Sequence, residues 1–120
     1  MTLGGYASAH QLTPTYPSLK PFYAVPGILT TEMVLFNARS DVEYYEFSVF
    51  DREWNAVPFA TESKIVRLKH LQRKKVNIHI REKDKTRAVY ICSESKLIGS
   101  GTSLTMVSSK ICSKIKWHRK

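Results

Sequence analysis

Long apolar runs are missing from this sequence. No stretch approaches the roughly 20 consecutive apolar residues that a membrane-crossing helix needs, so no span of that kind is predicted. Glycine is scarce, five in 120 residues, and the chain holds neither a glycine-rich phosphate loop nor a Gly-x-Ser-x-Gly turn. Paired carboxylates are missing as well, because Glu43 and Glu46 fall on opposite faces of a strand. Cys92 or Cys112 could join His118 as nucleophile and base only if the basic tail folded back, and no enzyme is predicted. Neither the Cys112/His118 nor the His70/His79 spacing suits a ligand pair on one element, so no metal and no cofactor is expected. The opening residues "MTLGGYASAH" contain Ala7-Ser8-Ala9, the small-x-small pattern of a signal cleavage site. They carry no Lys or Arg and no apolar centre, so no working secretion signal is expected as written, and a shortened one leaves the compartment open.

Apolar and aromatic residues make up 42% of the chain, enough for one packed domain and against a disordered tail. The net charge of +9 is unevenly spread: residues 1–63 hold three basic and seven acidic side chains, residues 64–120 sixteen basic and three acidic. Such an asymmetry suits an acidic partner, either nucleic acid or the negative surface of another protein. Lysines on outer strand faces that keep a sheet soluble and unpaired explain it equally well.

Residues 10–27 interleave Pro14, Pro17, Pro21 and Pro26 with Tyr16, Phe22 and Tyr23. Prolines at this density favour an extended path without a regular ladder, so residues 1–27 read as an arm. From Gly27 the pattern turns to period two. Met33, Leu35 and Asn37 share one strand face, as do Tyr45, Phe47 and Val49, and then Val76, Ile78 and Ile80. Turns fall at Asn37–Asp41, Asp51–Asn55 and Glu82–Thr86, and Gly99 and Gly101 mark a loop. Ile65, Val66 and Leu68 suit a short strand, with a helix over 62–73 competing because Ile65, Leu68 and Leu71 recur every three residues. About seven short strands with turns roughly every ten residues predict an all-β, immunoglobulin-like antiparallel β-sandwich over residues 28–120.

The stretch "RAVYICSES" is like strand F of an immunoglobulin domain, but the strand that should hold the paired cysteine, Thr30–Asn37, has none. Tyr90 then reads as a tyrosine corner or as a large core residue. A hairpin folded about Gly99–Gly101 brings Cys112 within a few places of Cys92. The two are either bonded, if their α-carbons approach within about 7 Å, or free thiols in a reducing compartment.

In element order, "TTEMVLFNARSD", "YYEFSVFD", the basic "KIVRLKHLQRKKVNIHI" and the closing hairpin resemble the amino-terminal domain of PapD-type assembly chaperones. That resemblance covers residues 22–117 and implies a sandwich without the core disulfide. Two departures stand against it: the family's second domain is missing, and the Arg–Lys pair that anchors a subunit's carboxyl terminus is not assigned to any residue of this sequence. "HQLTPTYP", "DVEYYEFSVFDREWNAVPFAT" and "VSSKICSK" also resemble small immunoglobulin-like virion proteins of tailed phages.

The main expectation is therefore a non-enzymatic assembly module, a phage virion component acting as decoration, adaptor or tail-associated protein. Pro14, Tyr16, Pro17, Phe22 and Tyr23 would anchor the arm on neighbouring protein subunits. A basic patch of Arg73, Lys74, Lys75, Arg81, Lys83, Lys85, Lys110, Lys114 and Lys116 would set its register. The first six of these, with Arg87, read as one cluster around a turn. An exported, periplasmic or extracellular chaperone-like domain is the first alternative. A basic protein touching nucleic acid is the second, with Trp117 and His118 as the aromatic residues among the tail charges of Arg119 and Lys120.

Overall fold

The structure, a computed structural model, describes residues 10–96 and 109–116. Two antiparallel sheets face each other. In the first, β3 (Ile28–Asn37) is central, with β6 (Arg73–Arg81) along one side, from Ile28 opposite Arg81 to Phe36 opposite Arg73. The other side of β3 is shared by β1 (His10–Thr13), opposite Val34–Asn37, and β2 (Lys20–Pro21), opposite Leu29 and Thr30. The second sheet runs β5 (Ile65–Arg67), β4 (Tyr44–Phe50), β7 (Tyr90–Lys96), β8 (Lys110–Lys114).

Period-two alternation places the core. Met33 and Leu35 from β3, Ile78 and Ile80 from β6, Tyr45 and Phe47 from β4 and Ile91 from β7 are all buried between the sheets. Burial of such a side chain contributes about 1.5–3 kcal/mol, which makes the register costly to slip. This is the immunoglobulin-like sandwich that the strand pattern predicts.

The arm reading is corrected for residues 10–21, which belong to the sandwich. Leu12 and Leu19 lie in its core, and β1 and β2 pair with β3. Between them the chain crosses to the second sheet, where the carbonyls of Thr15 and Pro17 accept the N–H groups of Lys114 (3.0 Å) and Lys116 (2.9 Å). The prolines divide this strand without excluding it. A proline lacks the N–H but keeps the carbonyl, and the carbonyl is what the Lys116 bond uses.

The competing helix over 62–73 is replaced by β5 and a turn. Val66 and Leu68 are buried while Ile65 and Leu71 are exposed, so the spacing of three makes no apolar face. Tyr90 is half-buried on the outer side of the second sheet, in neither of the positions considered for it.

A buried polar network fastens the two sheets at one end. Asn37 is fully buried, donates through Nδ2 to the carbonyls of Val42 (2.8 Å) and Leu68 (2.7 Å), and accepts through Oδ1 from the Arg39 N–H and the Tyr45 hydroxyl. Burial pushes the Tyr45 phenol up to about 12. His10 packs on the Tyr45 ring at 4.8 Å, with Nδ1 2.9 Å from Ser109 Oγ and Nε2 3.0 Å from Ser93 Oγ.

Candidate protein-binding face

On β7, Ile91, Ser93 and Ser95 point inward, so Tyr90, Cys92 and Glu94 point to the outer face of the second sheet. The register sets Phe50 and Lys114 on either side of Tyr90, Ser48 and Cys112 on either side of Cys92, and Glu46 and Lys110 on either side of Glu94. Cys92 and Cys112 are disulfide-bonded directly across this ladder.

The turn after β4 brings a further ring to the same face. Asp51 Oδ1 accepts the N–H groups of Glu53 (2.9 Å) and Asn55 (2.8 Å), and the Trp54 N–H donates to the Asp51 carbonyl at 3.0 Å. An aspartate that folds the chain back on itself in this way defines a tight turn. Trp54 sits in it at φ 69°, in the left-handed region. Its indole lies on the Tyr90 ring, centroids 4.2 Å apart and planes within 5°, and tilts against Phe50 at 5.7 Å. Half of Trp54 remains exposed.

Lys110 completes the cluster, with its ammonium 4.4 Å from the Phe50 centroid and 5.5 Å from that of Trp54. Because Lys110 precedes Cys112 by two residues and Phe50 lies a row beyond Ser48, the lysine stem spans the disulfide row. Farther out on this sheet, Lys96 pairs with Glu46 (3.1 Å) and Arg67 with Glu43 (2.9 Å). The result is an aromatic surface with one cation held over it, a composition that concentrates binding energy at protein interfaces.

The residues expected to bind partners are dispersed. Pro17 is buried, Pro14 and Tyr16 are exposed, and Phe22 tilts against His79 at 4.9 Å with the exposed Tyr23 against its edge at 5.6 Å. Phe22 and Tyr23 thus belong to the first sheet's surface, beside a cavity of about 230 Å³ lined by Ile28, Pro58, Phe59, Ala60, His79 and Arg81.

The single basic cluster is also corrected. Arg73, Lys74 and Lys75 begin β6 and Arg81 ends it, Arg73 and Arg81 being about 26 Å apart at strand rise, with Lys83 and Lys85 beyond. Arg81 and Arg87, both exposed, are paired with the buried Asp84, each at 2.8 Å. Burial alone would raise the Asp84 carboxyl, but the two guanidinium groups outweigh it and hold it below its usual value. Lys110 and Lys114 lie on the other sheet, and Lys116 is bonded through its N–H to Pro17. Ala7–Ala9, Gly99, Gly101 and residues 117–120 lie outside the described residues. Among the described residues no cluster of three or more His, Cys, Asp and Glu is placed to hold a metal ion, and no helix is long and apolar enough to cross a membrane.

Trp54 is the residue that pattern reading passed over as part of a turn. Its signal was an exposed-turn position filled by the largest aromatic side chain.

No protein-family model and no curated protein matches the chain. Among solved structures, the crystal structure of the E. coli chaperone DraB is similar, with a TM-score of 0.63 and 16% identity over 88% of this chain and 52% of that one. The likeness is one of fold. This chain spans about half the length of that structure.

Proposed function

We propose that the chain is a protein-binding module of the assembly-chaperone type, acting in a periplasmic or similarly oxidising compartment, and that its contact face is the Trp54 cluster. The observation that carries this reading is Trp54 itself: a half-exposed indole in a left-handed turn, stacked on Tyr90 beside Lys110. A backbone conformation that costs free energy is maintained where the side chain it displays has a use. Exposed Trp and Tyr supported by rigid neighbours are the usual anchors of a protein contact.

Two further observations support it. The fold likeness is to a chaperone, which favours this reading over the virion one. The Cys92–Cys112 bond suits an oxidising compartment. A nucleic-acid role draws less support, because the cations expected to form one patch are divided between the two sheets, Arg73–Lys75 on one and Lys110 and Lys114 on the other.

A photoreactive amino acid placed at position 54 tests the reading in cells that make the protein. It is expected to cross-link a partner protein that the same group at position 23, on the other sheet, does not capture, and the partner's level is expected to fall when this gene is deleted. Equal capture at both positions, or a partner whose level ignores the deletion, would overturn it.

A further inference from the structure

Along β6 the backbone groups point alternately toward β3 and toward the outer edge. His79 exchanges both its backbone bonds with Ala60, at 2.9 and 2.8 Å, so Asn77, Lys75 and Arg73, in step with it, face the edge too. The edge is covered for part of its length. At Asn77 a side chain replaces the neighbouring strand, with Glu62 accepting from the Asn77 N–H (3.2 Å) and from its Nδ2 (3.0 Å). Past Glu62 the chain departs to β5 in the other sheet. Among the described residues, the N–H groups of Lys75 and Arg73 meet no backbone partner.

This open end carries three consecutive exposed cations, Arg73, Lys74 and Lys75. The Arg73 guanidinium also lies 5.1 Å from the centroid of the half-buried Phe36 ring on the adjoining strand. We propose that the Arg73–Lys75 end of β6 takes up an extended acidic segment of another protein as an added strand. The segment's backbone would bond Arg73 and Lys75, and its carboxylates would meet the three cations. One step along the same edge an acidic residue, Glu62, already caps an outward-facing N–H, that of Asn77.

Charge selects this occupant. The chain's own segments outside the described residues, 1–9, 97–108 and 117–120, contain no Asp or Glu. A second copy carries a net charge of +9, and pairing this edge with itself would set like charges opposite one another. The lysines that keep an edge from pairing with neutral or basic strands therefore leave it selective for an acidic one. The site is on the other sheet from Trp54 and does not depend on the role given to that residue.

The test uses the full chain, isotope-labelled, with three probes: a short synthetic peptide alternating Glu with Val and Thr, its Lys-for-Glu counterpart, and the acidic peptide with prolines at alternate positions. The acidic peptide is expected to bind and to slow amide exchange at Arg73 and Lys75, while the other two are expected to do neither. Charge reversal by Arg73→Glu with Lys75→Glu is expected to weaken binding at least about tenfold, whereas Trp54→Ala leaves it unchanged. Both reversed positions are exposed, and should that variant not fold, Arg73→Gln with Lys75→Gln serves in its place. The proposal is overturned if the acidic peptide fails to bind at millimolar concentration. It is equally overturned if the peptide binds the charge-altered variant as tightly, or binds while the Arg73 and Lys75 amides stay unprotected.

Discussion

The Trp54 indole lies flat on the Tyr90 ring, 4.2 Å away, although its own backbone is in the left-handed region at φ 69°. The two facts pull in opposite directions. A left-handed non-glycine residue costs about 1–2 kcal/mol, and an aromatic pair returns about 0.5–1.5 kcal/mol beyond its burial. Trp54→Ala loses the stack and keeps the strain, so it is expected to destabilise by about 1 kcal/mol. Trp54→Gly loses the stack and sheds the strain, and is expected within about 1 kcal/mol of the parent. Urea unfolding compares them, and equal midpoints for the Ala and Gly variants would mean that the turn is not left-handed in solution.

Leu12 is 5% exposed and part of the core, whereas Tyr23 is 96% exposed. Leu12→Ala is expected to cost about 2–5 kcal/mol, and Tyr23→Ala to stay within about 0.5 kcal/mol of the parent. Were residues 10–21 a detachable arm, both would be silent in thermal melting.

His10 is held below its ordinary value of 6.5 by burial, with Arg39 adding to the effect and the Ser93 carbonyl opposing it. The fold therefore favours the neutral ring. Its contribution is complete above 6.5 and is lost as pH falls through that value toward the lower folded one. Urea midpoints are expected to drop between about pH 7.5 and pH 5.5, above the range where carboxylates titrate. The drop should shrink in His10→Asn, and an identical drop in that variant would remove His10 as the cause.

The Cys92–Cys112 bond closes a loop with a sequence separation of 20, and a loop of that size is expected to contribute about 3 kcal/mol. Adding dithiothreitol should lower the urea midpoint accordingly. An unchanged midpoint, together with two titratable thiols before reduction, would show that the bond does not form.

Asp84 is buried between Arg81 and Arg87 and its carboxyl is depressed below its usual value of 3.8. Such a group stabilises above the unfolded value and ceases to do so as pH falls through the folded one. Asp84→Asn should therefore melt below the parent at neutral pH and approach it as the pH drops under about 3.8. A gap that persists unchanged in acid would mean that packing, not charge, sets the loss.

Much of the sandwich was legible because strand alternation is local. Whether Met33 and Leu35 share a face is settled by backbone geometry within one strand, and the same holds for Tyr45 with Phe47 and Val76 with Ile78. Turn chemistry is equally local, so Asp51–Asn55 could be read as a turn. That local information supports the fold class and the rough count of strands, and little of the site.

What only the tertiary structure decided is which distant segments meet. Residues 10–21 look like an arm because prolines interrupt them, yet Leu12 and Leu19 gain enough burial to hold two short strands on β3. Trp54 reaches Tyr90 only because the β4–β7 register puts Phe50 beside it. Arg73 and Arg81 look neighbourly in sequence, but a stiff extended strand holds them at opposite ends of the sheet. Register between strands is the sum of many weak contacts made at once across the core, and no window of neighbouring residues contains that sum.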